Sequence, residues 1–286
     1  EKYPDVFNKV YIALLRAGKA SGSLDLSLKR LAEQQEKDNA MISKIRGALV
    51  YPAIILMVII AVLVFMVLMI VPQVQSLYKD IGKDLPWATM VLVSFANFLV
   101  AFWWLVTILL GIAIYFLLQF RKTTTGIEWS AMIKLNVPIF KTMFWRLYNA
   151  RFARTASNLM SAGVSIQDTL QISAEAMNNV VLEKEIKDVS EKVKQGKTLS
   201  SSLKNLSYIL PLVPQMASIG EESGKIDEML AKAAQVYEDE LEEQIRTIST
   251  MIEPVLMVVM AIMVGFIIVA VLFPIYSIVN DVQGNI

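Results

Sequence analysis

The chain has 286 residues, 55% of them hydrophobic, and its mean hydropathy of +0.52 exceeds what soluble domains carry, so part of its surface must face lipid. Lys and Arg number 27 against 26 Asp and Glu, a balance that excludes a global basic field for nucleic acid. Cysteine and histidine are both absent, which excludes disulfides, thiolate zinc, iron–sulfur ligation and every catalytic scheme built on an imidazole base.

The sequence opens at Glu1 with no charged-then-apolar leader, so no signal peptide is expected and the start reads as a truncation. Residues 1–49 are polar and helical in pattern. Residues 50–72 then hold no charge and are long enough to cross about 30 Å of hydrocarbon at about 1.5 Å per residue, which predicts a first transmembrane helix. Residues 73–86 are expected as a short external loop. A second uncharged stretch, 87–120, is longer than a bilayer requires, so tilt or an interfacial extension is expected, with Trp87, Trp103, Trp104 and Tyr115 as anchors. A second cytoplasmic helical domain is expected over 121–253, a third span over 254–278 and an external tail over 279–286.

Orientation follows from the basic flanks. Lys37, Lys44 and Arg46 precede the first span and Arg121, Lys122, Lys134 and Lys141 follow the second, while the intervening loop has only Lys79 and Lys83. Both large polar segments are therefore expected in the cytoplasm. Within the second, the apolar stripe Phe152, Ala156, Leu159 and Met160 reads as a bundle core. Gly163 reads as a helix stop, Ser165 with Asp168 as a capping box, and Gly196 with Thr198 and the Gly220–Gly224 region as further turns.

The chain also resembles itself at a constant offset of 202: Gly18 with Gly220, Ser21 with Ser223, Gly22 with Gly224, Asp25 with Asp227, Pro52 with Pro254 and Pro72 with Pro274. The repeated unit is a turn, a long helix, a proline at membrane entry, a span and a proline at exit. Two copies of a helical cytoplasmic domain feeding a span are expected, the first lacking its N-terminal half, with one additional span restoring orientation.

Chemistry has few places to reside. The pairs Gly18-Lys19, Gly196-Lys197 and Gly224-Lys225 lack the glycine five residues upstream that a phosphate loop needs, because Ala13, Glu191 and Ile219 stand there. The acidic groups Glu221, Glu222, Asp227 and Glu228, and Glu238, Asp239, Glu240, Glu242 and Glu243, have no calcium-loop spacing and read as solvated helix faces. No catalytic residue, metal or cofactor is expected. Glu253 stands at a membrane threshold without an adjacent basic residue, either pairing across helices or resting at headgroup level. Pro52 and Pro254 each remove a backbone donor at membrane entry, so a bend or local break is expected there.

Gly220-Glu221-Glu222-Ser223-Gly224-Lys225-Ile226-Asp227, followed by Glu253-Pro254 and Phe273-Pro274, resembles the signature of the type II secretion F family, the polytopic platform proteins called PilC in pilus systems. Phe152-Ala153-Arg154-Thr155, Ser161-Ala162-Gly163-Val164-Ser165, Gly196-Lys197-Thr198-Leu199-Ser200 and Leu210-Pro211-Leu212-Val213-Pro214 are similar to that family's second cytoplasmic domain. The first copy departs from the pattern, with Lys19 where the family usually has Glu. The resemblance implies an all-α membrane protein of duplicated six-helix cytoplasmic bundles on three transmembrane helices. It implies no enzymatic activity, self-association in the inner membrane, and contacts with a cytoplasmic assembly ATPase, with pilin or pseudopilin helices and with other inner-membrane assembly proteins. A transporter with a midplane site is the competing class, and the absence of ionisable residues inside the three spans weighs against it.

Overall fold

The computed structural model describes residues 9–22, 24–80, 82, 87–138 and 140–283. Among them there is no strand. The helices in chain order are α1 (Lys9–Ser21), α2 (Leu24–Phe65), a π-helical turn (Met66–Ile70), α3 (Val71–Asp80), α4 (Trp87–Phe120), α5 (Thr124–Asn136) and α6 (Lys141–Ser161). They continue as α7 (Ile166–Ala176), α8 (Val180–Lys194), α9 (Leu199–Leu203), α10 (Leu212–Ser223) and α11 (Ile226–Gln283). The chain divides into two units, Glu1–Ile45 with Phe120–Arg246 and Arg46–Gln119 with Thr247–Ile286.

The first unit is a helical bundle. Its core is the buried cluster around Phe152, Leu170, Leu182, Ile186, Leu199, Leu203 and Leu230. Phe152, Ala156 and Leu159 of the expected stripe are fully buried, and Met160 packs against the core from its edge. Local chemistry sets the helix ends. Ser165 accepts from the Asp168 N–H at 3.2 Å, the N-cap half of the expected capping box at the start of α7, while the Asp168 carboxylate accepts from the Ser165 hydroxyl at 2.7 Å rather than from its backbone N–H. Gly163 and Gly196 end α6 and α8 with φ of +81° and +90°, a region that a side chain disfavours. Asn179, buried, caps α8 by accepting from Val181 and Leu182, and its amide donates to the Ala131 carbonyl of α5.

The second unit carries the apolar surface. Among the described residues, three helices are long and apolar enough to cross a membrane, within Leu24–Asp80, Val100–Phe120 and Ile226–Val269. Side chains such as Met57 (69% exposed), Ile114 (55%) and Ile262 (67%) point away from the protein, as lipid-facing residues must.

Several helices run differently from the sequence expectation. Helices α2 and α11 run uninterrupted through Pro52 and Pro254. The irregularity lies instead at Met66–Ile70, where the Val71 N–H bonds to the Met66 carbonyl in a π turn. Pro72 follows immediately, and with no N–H to offer the Leu68 carbonyl it is accommodated by this wider turn. Helix therefore continues to Asp80 through residues expected as loop, stabilised by Val71 packing with Val93 and Val67. The long second stretch is not one straight helix, because Phe102 at φ −112°, ψ 18° marks a kink in α4. Helix α11 also passes Pro274 and ends at Gln283, so residues 279–283 are helical. Residues 81, 83–86 and 284–286 of the expected loop and tail lie outside the described residues.

Candidate functional site

The signature residues of the second copy build a joint between α10 and α11. Gly220 is buried one turn before the end of α10, where a Cβ would stand 2.5 Å from Ile226 Cα and 3.0 Å from Ile226 N. Only a hydrogen at this position lets α11 begin so close to α10. Gly224 closes α10 in the left-handed conformation at φ +70°, and the Lys225 N–H returns to the Gly220 carbonyl at 2.9 Å. Asp227, in the first turn of α11, accepts from the Ser161 hydroxyl at 2.8 Å and so ties the joint to the end of α6. Ser223 donates to the Ile219 carbonyl at 2.7 Å, a bond internal to α10.

Glu221 explains the central glutamate. Its carboxylate accepts from the Leu199 N–H at 2.5 Å and the Ser200 N–H at 3.4 Å, and the Ser200 hydroxyl also donates to it. An anion thus sits on the unpaired donors of the α9 N-terminus, which its neighbour Thr198 caps from within the loop. Glu221 is a bracket between two helices.

The first copy repeats this joint at the 202 offset. Helix α1 ends at Ser21 as α10 ends at Ser223, and α2 begins at Leu24 as α11 begins at Ile226. Gly22 has φ +72°, and Gly18 is buried with a built Cβ falling 2.5 Å from Ser27 Oγ and 3.1 Å from Leu24 Cα. The side chain of Ser21 lies outside the described residues. At Glu221's counterpart stands Lys19, which is exposed.

Within the bundle, α6 serves both joints. Leu159 packs with Val10, Leu14 and Leu31 of α1 and α2, while Ser161 holds Asp227. Further along, Glu238 is 9% exposed and accepts from Arg154 at 2.8 and 2.7 Å and from Lys37 at 2.7 Å, so one carboxylate links α2, α6 and α11. Asp38 pairs with Arg151, Glu242 with Lys44 and Glu240 with Arg146. The acidic stretch of α11 is therefore engaged mainly by cations of α2 and α6. No group of three or more potential metal ligands occurs among the described residues. Lys225 pairs with Glu228 at 2.9 Å and Thr198 caps α9, so two of the Gly-Lys sites are helix punctuation.

Burial shifts three titrations in this unit. Tyr237, whose hydroxyl accepts from the Leu212 N–H at 3.2 Å, is pushed up to about 12, chiefly by desolvation. Tyr148 is raised for the same reason. Glu185 is held above the ordinary glutamate range by burial, with Asp188 adding repulsion, and one of its oxygens is buried without a partner.

In the second unit, Glu253 is exposed and forms no ion pair among the described residues, and Pro52, Pro72, Pro254 and Pro274 all lie within helical stretches. Sequence reasoning passed over Asn149. It is fully buried, donates to the Trp145 and Tyr208 carbonyls and accepts from the Leu210 N–H, satisfying a loop that crosses the core. An asparagine interrupting the apolar face of α6 was the available signal.

A family model for type II secretion system protein F matches residues 1–72 and 152–274, two segments that end on Pro72 and Pro274 and contain both glycine joints. The chain is 34% identical over 280 residues to the type IV pilus assembly protein PilC of Thermus thermophilus, covering 97% of this chain and 69% of that protein. It is 33% identical to PilC of Pseudomonas aeruginosa (98% of this chain, 75% of that one). It is also 33% identical to the type II secretion system protein F of Xanthomonas campestris (99% and 70%). With two thirds of its length under the family model and relatives matched along 97–98% of this chain, the chain belongs to the type II secretion system protein F family.

Proposed function

We propose that the protein is an inner-membrane platform of a type IV pilus assembly machine, on which a cytoplasmic assembly ATPase drives insertion or extraction of pilin subunits. The observation that supports this reading most directly is the continuity of α11, one helix that begins at the Gly224 joint and includes the third charge-free span. A shift at the joint has a continuous helix along which to reach the membrane. The two joints, with Glu221, Asp227, Glu253 and Pro254, serve as mechanical parts and perform no chemistry. Basic residues flanking the first two spans support a cytoplasmic bundle, and in this reading self-association supplies the remaining surface for pilin helices.

A type II secretion pseudopilus platform is the second reading, favoured by relatives that carry the name type II secretion system protein F. The two separate in cells. The gene is replaced by wild-type, Glu253→Gln or Pro254→Ala copies, and surface filaments and exoprotein release are measured beside membrane abundance. Filament loss on deletion, with both variants accumulating normally but assembling fewer filaments, is expected. Loss of exoprotein release with filaments intact would transfer the role to secretion, and wild-type filament numbers in both variants would remove Glu253 and Pro254 from the coupling. Topology is read from single cysteines at Asp188 and Lys79, both exposed in a cysteine-free chain. An impermeant reagent applied from the periplasmic side should label Lys79→Cys alone.

A further inference from the structure

Helix α5 has an outward face that its own bundle leaves uncovered. Ala131 and Leu135 are buried toward the core, whereas Trp129 is 58% and Met132 52% exposed on the opposite side. Phe120, the last residue of α4, is itself 42% exposed and meets the Trp129 ring edge-on at 6.0 Å. The corner between the two helices is tight. Thr123 N–H returns to the Phe120 carbonyl at 3.0 Å, and a Cβ on Gly126 would fall 1.8 Å from that carbonyl oxygen, so no side chain fits there. Arg121 and Lys122, in the corner, are exposed and form no ion pair among the described residues.

We infer that α5 is an interfacial helix, docking Trp129 and Met132 into the headgroup and upper acyl region of the bilayer while Arg121 and Lys122 bind anionic phospholipid headgroups. Three features select lipid as the occupant. The Gly126 corner packs the start of α5 directly against Phe120, the residue on which the charge-free helix α4 ends, so Trp129 and Met132 follow that end within about a dozen residues of chain. Tryptophan, with an apolar body and one N–H donor, partitions to this zone. Unpaired cations beside exposed apolar side chains are the signature of binding to an anionic surface. Glu128 also lies on the exposed side, at its margin, and limits the depth of insertion to the interface.

The inference rests on α4 spanning the membrane, and the experiment tests that separately. The full chain is reconstituted in phosphatidylcholine vesicles with and without phosphatidylglycerol, carrying a single spin label at Trp129→Cys, Met132→Cys, Ile114→Cys or Asp188→Cys. Collision rates with oxygen and with a water-soluble nickel chelate are compared. Labels at 129 and 132 should favour oxygen several-fold more than the label at 188 and less than the label at 114. Arg121→Gln with Lys122→Gln should move them toward water in the phosphatidylglycerol vesicles only. Chelate accessibility at 129 and 132 equal to that at 188 overturns the inference, as does shielding from both reagents, which would mean a protein partner such as a second copy. An insensitivity to the double Gln variant overturns the headgroup contact. A label at 114 in water would refute the span itself and overturn the inference along with it.

Discussion

Gly220→Ala tests whether the joint is a close contact that the fold depends on. The substitution gains about 1 kcal/mol of helix propensity within α10. Against this, the new Cβ stands 2.5 Å from Ile226 Cα and 3.0 Å from Ile226 N, where carbon contacts need about 3.5 to 4.0 Å. The obstructing atoms belong to backbone at the first residue of α11 and cannot rotate aside, so α11 must move by about 1 Å, with a cost in the upper half of the about 1 to 3 kcal/mol typical of overpacking. A net loss of about 1 to 2 kcal/mol follows, a factor of about 5 to 30 in the opening equilibrium. The absence of cysteine supplies the assay, since Ser173 is fully buried and its hydroxyl has no partner for a thiol to displace. Thiol labelling of the Ser173→Cys chain under native conditions reports how often the bundle opens. Gly220→Ala should label faster by that factor. Gly47→Ala, whose Cβ meets open space, should not. Equal labelling in the Gly220→Ala chain and its parent would refute the close-contact reasoning.

Glu221→Ala should release the N-terminus of α9 and destabilise the bundle by about 1 to 3 kcal/mol, seen as faster amide exchange at Leu199 and Ser200, with Glu221→Gln retaining part of the protection. Glu238→Gln leaves the 19%-exposed Arg154 without its counter-charge and should cost about 1 to 3 kcal/mol in the same thiol assay, whereas Lys44→Ala, from an exposed pair, should change it by under about 0.5 kcal/mol. Because the folded-state pKa of Glu185 is raised, folding favours its protonated form, and the resulting stability is lost as pH rises through that pKa. Glu185→Gln should therefore raise the melting temperature at neutral pH and lose that advantage near the unfolded carboxyl's pKa of about 4.3, and an equal gain at both pH values would refute the titration.

What could be read from the sequence was whatever depends on neighbours along the chain. Uncharged runs set the three spans, Ser165 with Asp168 set a helix start, and the glycines at the 202 offset set two equivalent turns, each within a few residues of its cause. Tertiary structure decided the partners. Glu221 meets Leu199 across 22 residues and Glu238 meets Lys37 across 201, and no periodicity encodes which of many acids finds which donor. The same distinction explains the prolines. A missing N–H is a local fact, but whether it breaks a helix depends on whether the freed carbonyl and the following turn can rearrange. The π turn before Pro72 did so, while α2 and α11 run through Pro52 and Pro254. The Lys19 departure from the family signature became interpretable only with the bracket in view, since the carboxylate that Glu221 sets on the α9 N-terminus has a cation at the equivalent position of the first copy.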